Sequence, residues 1–183
     1  MENKAEQLRP NKVDYYMNIT KQVAERSNCL STKLGAVIVK EDQIISTGYN
    51  GAPRKTKDCM DHGSCLRRER GIPSGQRYEL CRSVHAEQNA LLNAARSGVS
   101  LLGGTLYMYG MKIYNVDEPT LIDAVPCFIC KKLVINAGIK EVVVMMKDGT
   151  VKTFQVDDWV GDWSKNDMTD DVVKFDCDYW NKK

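Results

Sequence analysis

Four residues in two short runs have the types and spacing of a hydrolytic metal centre. His85-Ala86-Glu87 comes first and Pro126-Cys127-Phe128-Ile129-Cys130 follows, with Glu87 and Cys127 40 positions apart. Cysteines at i and i+3 share one face of a helix, so Cys127 and Cys130 can offer two thiolates to one ion, with His85 as a third ligand. Three protein ligands leave a zinc ion one open position. Water held there has its pKa lowered toward about 7, which makes hydroxide available at neutral pH. Glu87 lies two residues beyond His85, and near a helix terminus both side chains reach toward the same ion. Beside the bound water, Glu87 can take a proton and return it to a substrate. Two helix N-termini aimed at the metal favour the anionic thiolates and hydroxide. The alternative is a closed structural site in which Glu87 or another cysteine fills the fourth position.

The elements that must position these residues belong to an ordinary globular chain. Its 183 residues are 43% hydrophobic and 27% charged, a length and balance that fit a single domain and exclude disordered or low-complexity sequence. Lys and Arg number 26 against 24 Asp and Glu, a net charge of +2, which gives no general drive toward nucleic acid or an anionic membrane. Apolar runs such as 142–146 stop at five residues, far short of the roughly 20 that span a bilayer. The charged start MENKAEQLRPNK lacks the apolar core of a secretory signal, so a reducing, cytoplasmic location is expected. Seven cysteines, at 29, 59, 65, 81, 127, 130 and 177, then suit metal thiolates better than a disulfide framework.

Along the chain, 12–27 reads as a helix with Val13, Tyr16, Met17, Ile19, Val23 and Ala24 turned to a core. Two β-branched runs, 34–39 and 43–47, follow as a hairpin around Lys40, Glu41 and Asp42. The stretch 48–81 has no sustained period, and a connection of that length should be functional or pinned by something. A helix over 84–97 is stopped by Gly98, a strand follows at 105–109, a helix over 128–137 is stopped by Gly138, and 141–146 is a buried strand. Asp148-Gly149 signals a hairpin, so 150–156 is expected to return antiparallel to its predecessor. From 157 on, Trp159, Trp163 and Trp180 lie among eight acidic residues, and short amphipathic helices docked by their aromatics are expected. The core of one domain then spans about 12–156, with 157–183 as an acidic, aromatic extension.

His-x-Glu with a later Pro-Cys-x-x-Cys is the signature of zinc-dependent nucleobase deaminases. Gly48-Tyr49-Asn50-Gly51-Ala52-Pro53 and the run HAEQNA from His85 to Ala90 narrow the match. Over roughly 12–147 the sequence resembles the cytidine deaminase superfamily and, more closely, the deoxycytidylate (dCMP) deaminases. The resemblance implies the α/β class, as a three-layer α/β/α cytidine deaminase-like fold with a mixed central sheet of about five strands. It implies hydrolysis of dCMP to dUMP and ammonia, with catalytic zinc and no organic cofactor. It also implies a homo-oligomer, often a hexamer, with dCTP and dTTP as effectors in regulated members. By position, it makes His85, Cys127 and Cys130 the ligands of the catalytic zinc and Glu87 the proton shuttle. Asn50 would hydrogen-bond the sugar, and backbone near Val84 and Ala86 would approach the base. Neither a membrane nor a nucleic acid is an expected partner.

A nucleotide phosphate needs cationic partners, and 48–82 holds eight Lys or Arg against four acidic residues. Arg54, Lys55, Arg67, Arg68, Arg70, Arg77 and Arg82 are the candidates, with a solvated basic loop as the alternative. Cys29, Cys59, Cys65 and Cys81 can supply four thiolates to a second, structural zinc, with His62 as a substitute ligand, or stay reduced as small buried hydrophobes. Cys177 is read as one of the latter. The long segment 110–125 and the antiparallel final hairpin depart from the dCMP deaminase pattern, which passes quickly to the cysteine motif and ends in parallel strands. Two other readings compete. One keeps the chemistry and changes the substrate to tRNA adenosine, a riboflavin-precursor pyrimidine, guanine or cytidine. The other is a non-catalytic, zinc-stabilised binding module, which has no use for Glu87 as an acid-base group.

Overall fold

The period-two alternation of the first strand decides how the layers form. In the computed structural model, which describes residues 9–73 and 76–166, the elements in chain order are α1 (Lys12–Glu25), β1 (Thr32–Lys40), β2 (Gln43–Tyr49), α2 (Cys59–His62), α3 (Leu66–Glu69), a 3₁₀ turn at Tyr78–Leu80, α4 (Ala86–Arg96), β3 (Thr105–Lys112), β4 (Thr120–Leu121), α5 (Phe128–Asn136), β5 (Glu141–Met145), β6 (Val151–Gln155) and α6 (Val156–Lys165). Cys177 and Trp180 lie outside the described residues. Ala36 and Ile38 of β1 join one apolar cluster, and Val37 and Val39 join another. A strand buried on both faces needs a layer on each. Tyr16, Met17 and Ala24 of α1 cover one face, and Ala86, Ala90 and Ala94 of α4, Val134 of α5 and Trp159 of α6 cover the other. This is the three-layer α/β/α arrangement.

The sheet is mixed, in the order β2-β1-β3-β5-β6, with β4 pairing β3 off this path. β1 runs antiparallel to β2 and β3, and β3 runs parallel to β5. The Asp148-Gly149 hairpin forms as its composition predicts. Gly149 takes φ 82°, Asp148 Oδ1 accepts the Thr150 N–H, and β6 returns antiparallel to β5. The parallel last strands of the resembled pattern therefore do not apply at β6. Segment 110–125 is used as structure: β3 runs on to Lys112, and β4 folds back on it with Met111 opposite Leu121. The apolar cluster also extends past the expected core boundary, because α6 buries Val156 and Trp159 and sets Trp163 against Phe128 at 5.4 Å. Among the described residues, no helix is long and apolar enough to cross a membrane.

Close approach between β2 and α4 positions the start of α4. A Cβ on Gly48 would stand 2.3 Å from the Ala90 nitrogen and 2.4 Å from the Ala86 oxygen, so only glycine fits there. Three side chains lock the same contact. Ser46 donates to the Ala90 carbonyl at 2.6 Å, Asn89 to the Tyr49 carbonyl at 2.8 Å, and Asn93 to the Thr47 carbonyl at 2.8 Å.

On the opposite face the Tyr16 hydroxyl donates to Asp42 Oδ1 at 2.7 Å. That bond, then burial, raises the Tyr16 pKa to about 12. A raised folded-state pKa means the contribution is complete below pH 10, the unfolded value, and is lost as pH climbs toward 12. Tyr16→Phe should therefore lower the melting temperature at pH 7 by roughly 2–4 °C, about 1 kcal/mol. Thermal scans should show the gap closing above pH 10.

Candidate active site

Two helix starts build the site. His85 is the N-cap of α4 and Cys127 the N-cap of α5, both with extended backbone, so each side chain projects from the end of its helix rather than along its flank. Cys130 lies one turn into α5 and is fully buried. His85 Nδ1 stands 3.5 Å from the Cys127 Sγ and 3.3 Å from the Cys130 Sγ, and all three ligand atoms lie within 4.8 Å of one another. A tetrahedral zinc with bonds of about 2.0 Å to nitrogen and 2.3 Å to sulfur holds such atoms about 3.5 Å apart. The residues therefore fit zinc. Among the described residues this is the only group of three or more His, Cys, Asp or Glu ligand atoms drawn so close.

The electrostatics suit a cation. The hydrogen bond from Cys130 and, despite burial, the contact with His85 drive the Cys127 thiol far below its ordinary pKa. The same contact and burial push Cys130 upward. Burial opposes charge on His85, but Cys127 and the nearby Glu87 outweigh it and raise its pKa. Glu87, in the first turn of α4, is only 4% exposed, and burial raises its pKa although His85 opposes the shift. Its carboxyl contacts the Cys130 thiol, and its Oε2 is buried with no hydrogen-bond partner. An acid group so placed has one oxygen available to a water or a substrate proton.

The model of the cytidine and deoxycytidylate deaminase zinc-binding region matches residues 10–146. The chain belongs to this family. It is 36% identical over 140 residues to the deoxycytidylate deaminase of Mycobacterium phage D29, covering 74% of this chain and 94% of that protein. It is 35% identical over 145 residues to the deoxycytidylate deaminase of Schizosaccharomyces pombe, covering 76% of this chain but only 40% of that longer protein. The dCMP deaminase of cyanophage S-TIM5, solved in complex with dCMP and dUMP, superimposes with a TM-score of 0.54 at 29% identity, over 73% of this chain and 80% of that one.

Val84 and Ala86, also expected at the site, flank His85 in the chain, and Asn50 is engaged with β1. Asn50 is buried, with its Oδ1 accepting from the Leu34 N–H at 2.8 Å and its Nδ2 donating to the Thr32 carbonyl at 2.9 Å. These bonds fix the amide against β1, and Nδ2 carries a second N–H. Val84 exchanges both backbone hydrogen bonds with Gly51, a bridge that ties the GYNGAP segment to the residue before His85. Ala86 is fully buried at the first position of α4.

The other four cysteines are gathered less closely. Burial raises the Cys59 thiol, the Arg82 guanidinium donates to it, and Cys29 and Cys65 bear on it electrostatically. The four sulfurs do not form a group as tight as the first three ligands. His62 is exposed at the end of α2 and joins no such group.

Sequence reasoning missed Tyr78, whose ring meets the His85 imidazole edge to face at 4.8 Å. It also missed Gln88, whose Oε1 accepts the His85 N–H at 3.3 Å. Gln88 carried a signal, being three residues after the N-cap. Tyr78 carried none, because it lies in the stretch without a period.

Proposed function

We propose that the chain is a zinc-dependent dCMP deaminase that converts dCMP and water to dUMP and ammonia. The observation carrying this reading is the convergence of His85 Nδ1 and two thiols at zinc spacing, beside a buried Glu87 with an unpartnered oxygen. Bound zinc supplies a Lewis acid that acidifies water to near neutrality. Glu87 would take the first proton of the attacking water and deliver it to N3 of the pyrimidine as the oxygen adds at C4. The second proton reaches the amine, the C4–N bond breaks, and ammonia leaves as the carbonyl forms. Burial favours this role, because it lifts the Glu87 pKa toward the pH at which the protons move. The dCMP choice is supported by the deoxycytidylate deaminases among the relatives and by the cyanophage enzyme bound to dCMP and dUMP.

Ammonia release and the matching ultraviolet change should be measured on the zinc-loaded full chain with dCMP, CMP, cytidine and dCTP separately. Preference for dCMP is the expected result. Turnover of none by folded, zinc-loaded protein overturns the reading in favour of the binding module.

Three further features belong to the same proposal. A structural zinc on Cys29, Cys59, Cys65 and Cys81 predicts a second equivalent of metal that disappears in Cys59→Ser. Self-assembly is supported by an apolar groove of about 500 Å³ between α4 and α5, lined by Leu91, Leu92, Val99, Leu101 and Leu133, and light scattering should find an oligomer whose activity responds to dCTP and dTTP. A cytoplasmic location is supported by six described cysteines free of disulfides.

A further inference from the structure

One cation of the basic stretch 48–82 differs from the rest in what it touches. Arg54 donates to Asn93 Oδ1 at 2.6 Å, Arg68 donates to Ser31 and lies over the Tyr114 ring, and Arg82 donates to the Ser64 carbonyl and to Cys59. Arg77 pairs with Glu79, and Lys55 and Arg70 are exposed. Arg67, on α3, sits over the Tyr78 ring with its guanidinium carbon 4.8 Å from the ring centre. Tyr78 in turn abuts His85, again at 4.8 Å between ring centres. Two successive steps of 4.8 Å put the Arg67 guanidinium no more than 9.6 Å from the His85 imidazole, a separation on the scale of the base and 5′-phosphate of one mononucleotide. The guanidinium is also incompletely satisfied. Its Nη2 donates to the Pro73 carbonyl at 2.8 Å, while its Nε–H is buried without a hydrogen-bond partner.

We infer that Arg67, braced on Tyr78, is the specificity residue that receives the 5′-phosphate of the nucleotide at this site. The link through Tyr78 to His85 and the orphaned Nε–H set Arg67 apart from its neighbours, and three physical features suit it to phosphate. A half-buried guanidinium has been partly stripped of water, so a dianion gains more from it than from an exposed lysine or arginine. Contact with an aromatic ring restrains the guanidinium, and a restrained fork is what bidentate phosphate binding needs. The orphaned Nε–H costs free energy until a partner arrives, so binding is coupled to relieving it. Glu79 pairs with Arg77 and also feels the Arg67 charge, and both help hold its carboxyl below the ordinary carboxylate range. Tyr78 is a positioning residue on both sides, supporting the cation and packing against the imidazole.

The inference rests on the dCMP reading, and the test keeps the two apart. The zinc-loaded full chain and its Arg67→Gln and Arg67→Lys variants, matched for zinc content, are assayed with dCMP and with deoxycytidine, which lacks the phosphate. Arg67→Gln should lower kcat/KM for dCMP by roughly 10- to 100-fold, mostly through KM, and leave deoxycytidine turnover unchanged. Arg67→Lys should fall between, since it keeps charge but loses the fork. Equal losses on both substrates would overturn the inference, because they would mean that Arg67 only supports His85 through Tyr78. Unchanged dCMP kinetics would overturn it as well. If wild type turned over neither substrate, the dCMP reading would fail by itself, and inorganic phosphate would decide the inference separately. A phosphate-induced rise in wild-type melting temperature that Arg67→Gln or Arg67→Lys reduces supports an anion site, and an equal rise in all three proteins refutes it.

Discussion

Glu87→Gln is expected to keep zinc content and melting temperature near the wild-type values while lowering dCMP turnover by roughly 10²–10⁴-fold, the usual contribution of a positioned acid-base group. Glu87 is 4% exposed, and its burial disfavours the charged form, so a neutral amide of nearly the same shape costs the fold little. An amide cannot carry a proton between water and the pyrimidine N3, so chemistry stops while the metal stays. Metal analysis and steady-state kinetics on one preparation separate three roles. If Glu87 filled the fourth position of a closed site, Gln would reduce zinc retention along with activity. In a binding module the substitution would change neither zinc content nor ligand affinity.

Gly48→Ala should be the most damaging single-methyl change among the described residues that line this face of the sheet. Its Cβ would lie 2.3 Å from the Ala90 nitrogen and 2.9 Å from its Cα, and backbone cannot step aside as a flexible side chain can. Either α4 moves or β2 does, and overpacking of this kind costs about 1–3 kcal/mol or more. The functional loss should exceed the stability loss. His85 caps α4 and Glu87 lies in its first turn, so a helix shift of about 1 Å can cost on the order of 10²-fold in rate. Gly161→Ala is the control. Nothing lies within 4 Å of the added Cβ in α6, and replacing a helical glycine by alanine should stabilise by up to about 1 kcal/mol. Thermal melts, zinc titration and dCMP kinetics on both variants test the contrast.

Features encoded by local periodicity or by a residue's own geometry were legible in the sequence. The β-branched run 34–39 announces a strand, though not that both of its faces are covered, and Asp148-Gly149 announces the hairpin that makes β6 antiparallel. His85, Glu87, Cys127 and Cys130 were legible because metal chemistry restricts both the residue types and the spacing. The parts that were not legible depend on contacts between distant segments. β4 is two residues long and exists because β3 runs on past its expected end. α2 is four residues, held by a capping box between Asp58 and Asp61 and by Asn28 donating to Asp58, too short for any period to register. Asn50 was expected at a sugar, yet its amide is first a bridge to Leu34 and Thr32. The contacts of Tyr78 with Arg67 and with His85 join residues from a helix turn, a 3₁₀ turn and an N-cap, and no local rule links them. The four remaining cysteines illustrate the converse. Their type and number suggest a second metal, but how four sulfurs from near the end of α1, α2, α3 and the turn before α4 meet is set by tertiary contacts that no spacing rule encodes.

The central claim is that this chain adds water to the C4 position of dCMP, and the most direct measurement follows the oxygen. Zinc-loaded protein is incubated with dCMP in heavy-oxygen water, and the nucleotide product is analysed by mass spectrometry, with Glu87→Gln in parallel. The account predicts dUMP carrying the heavy isotope in its base, with little formed by the variant. Recovery of unchanged dCMP, or of dUMP without the label, would contradict it.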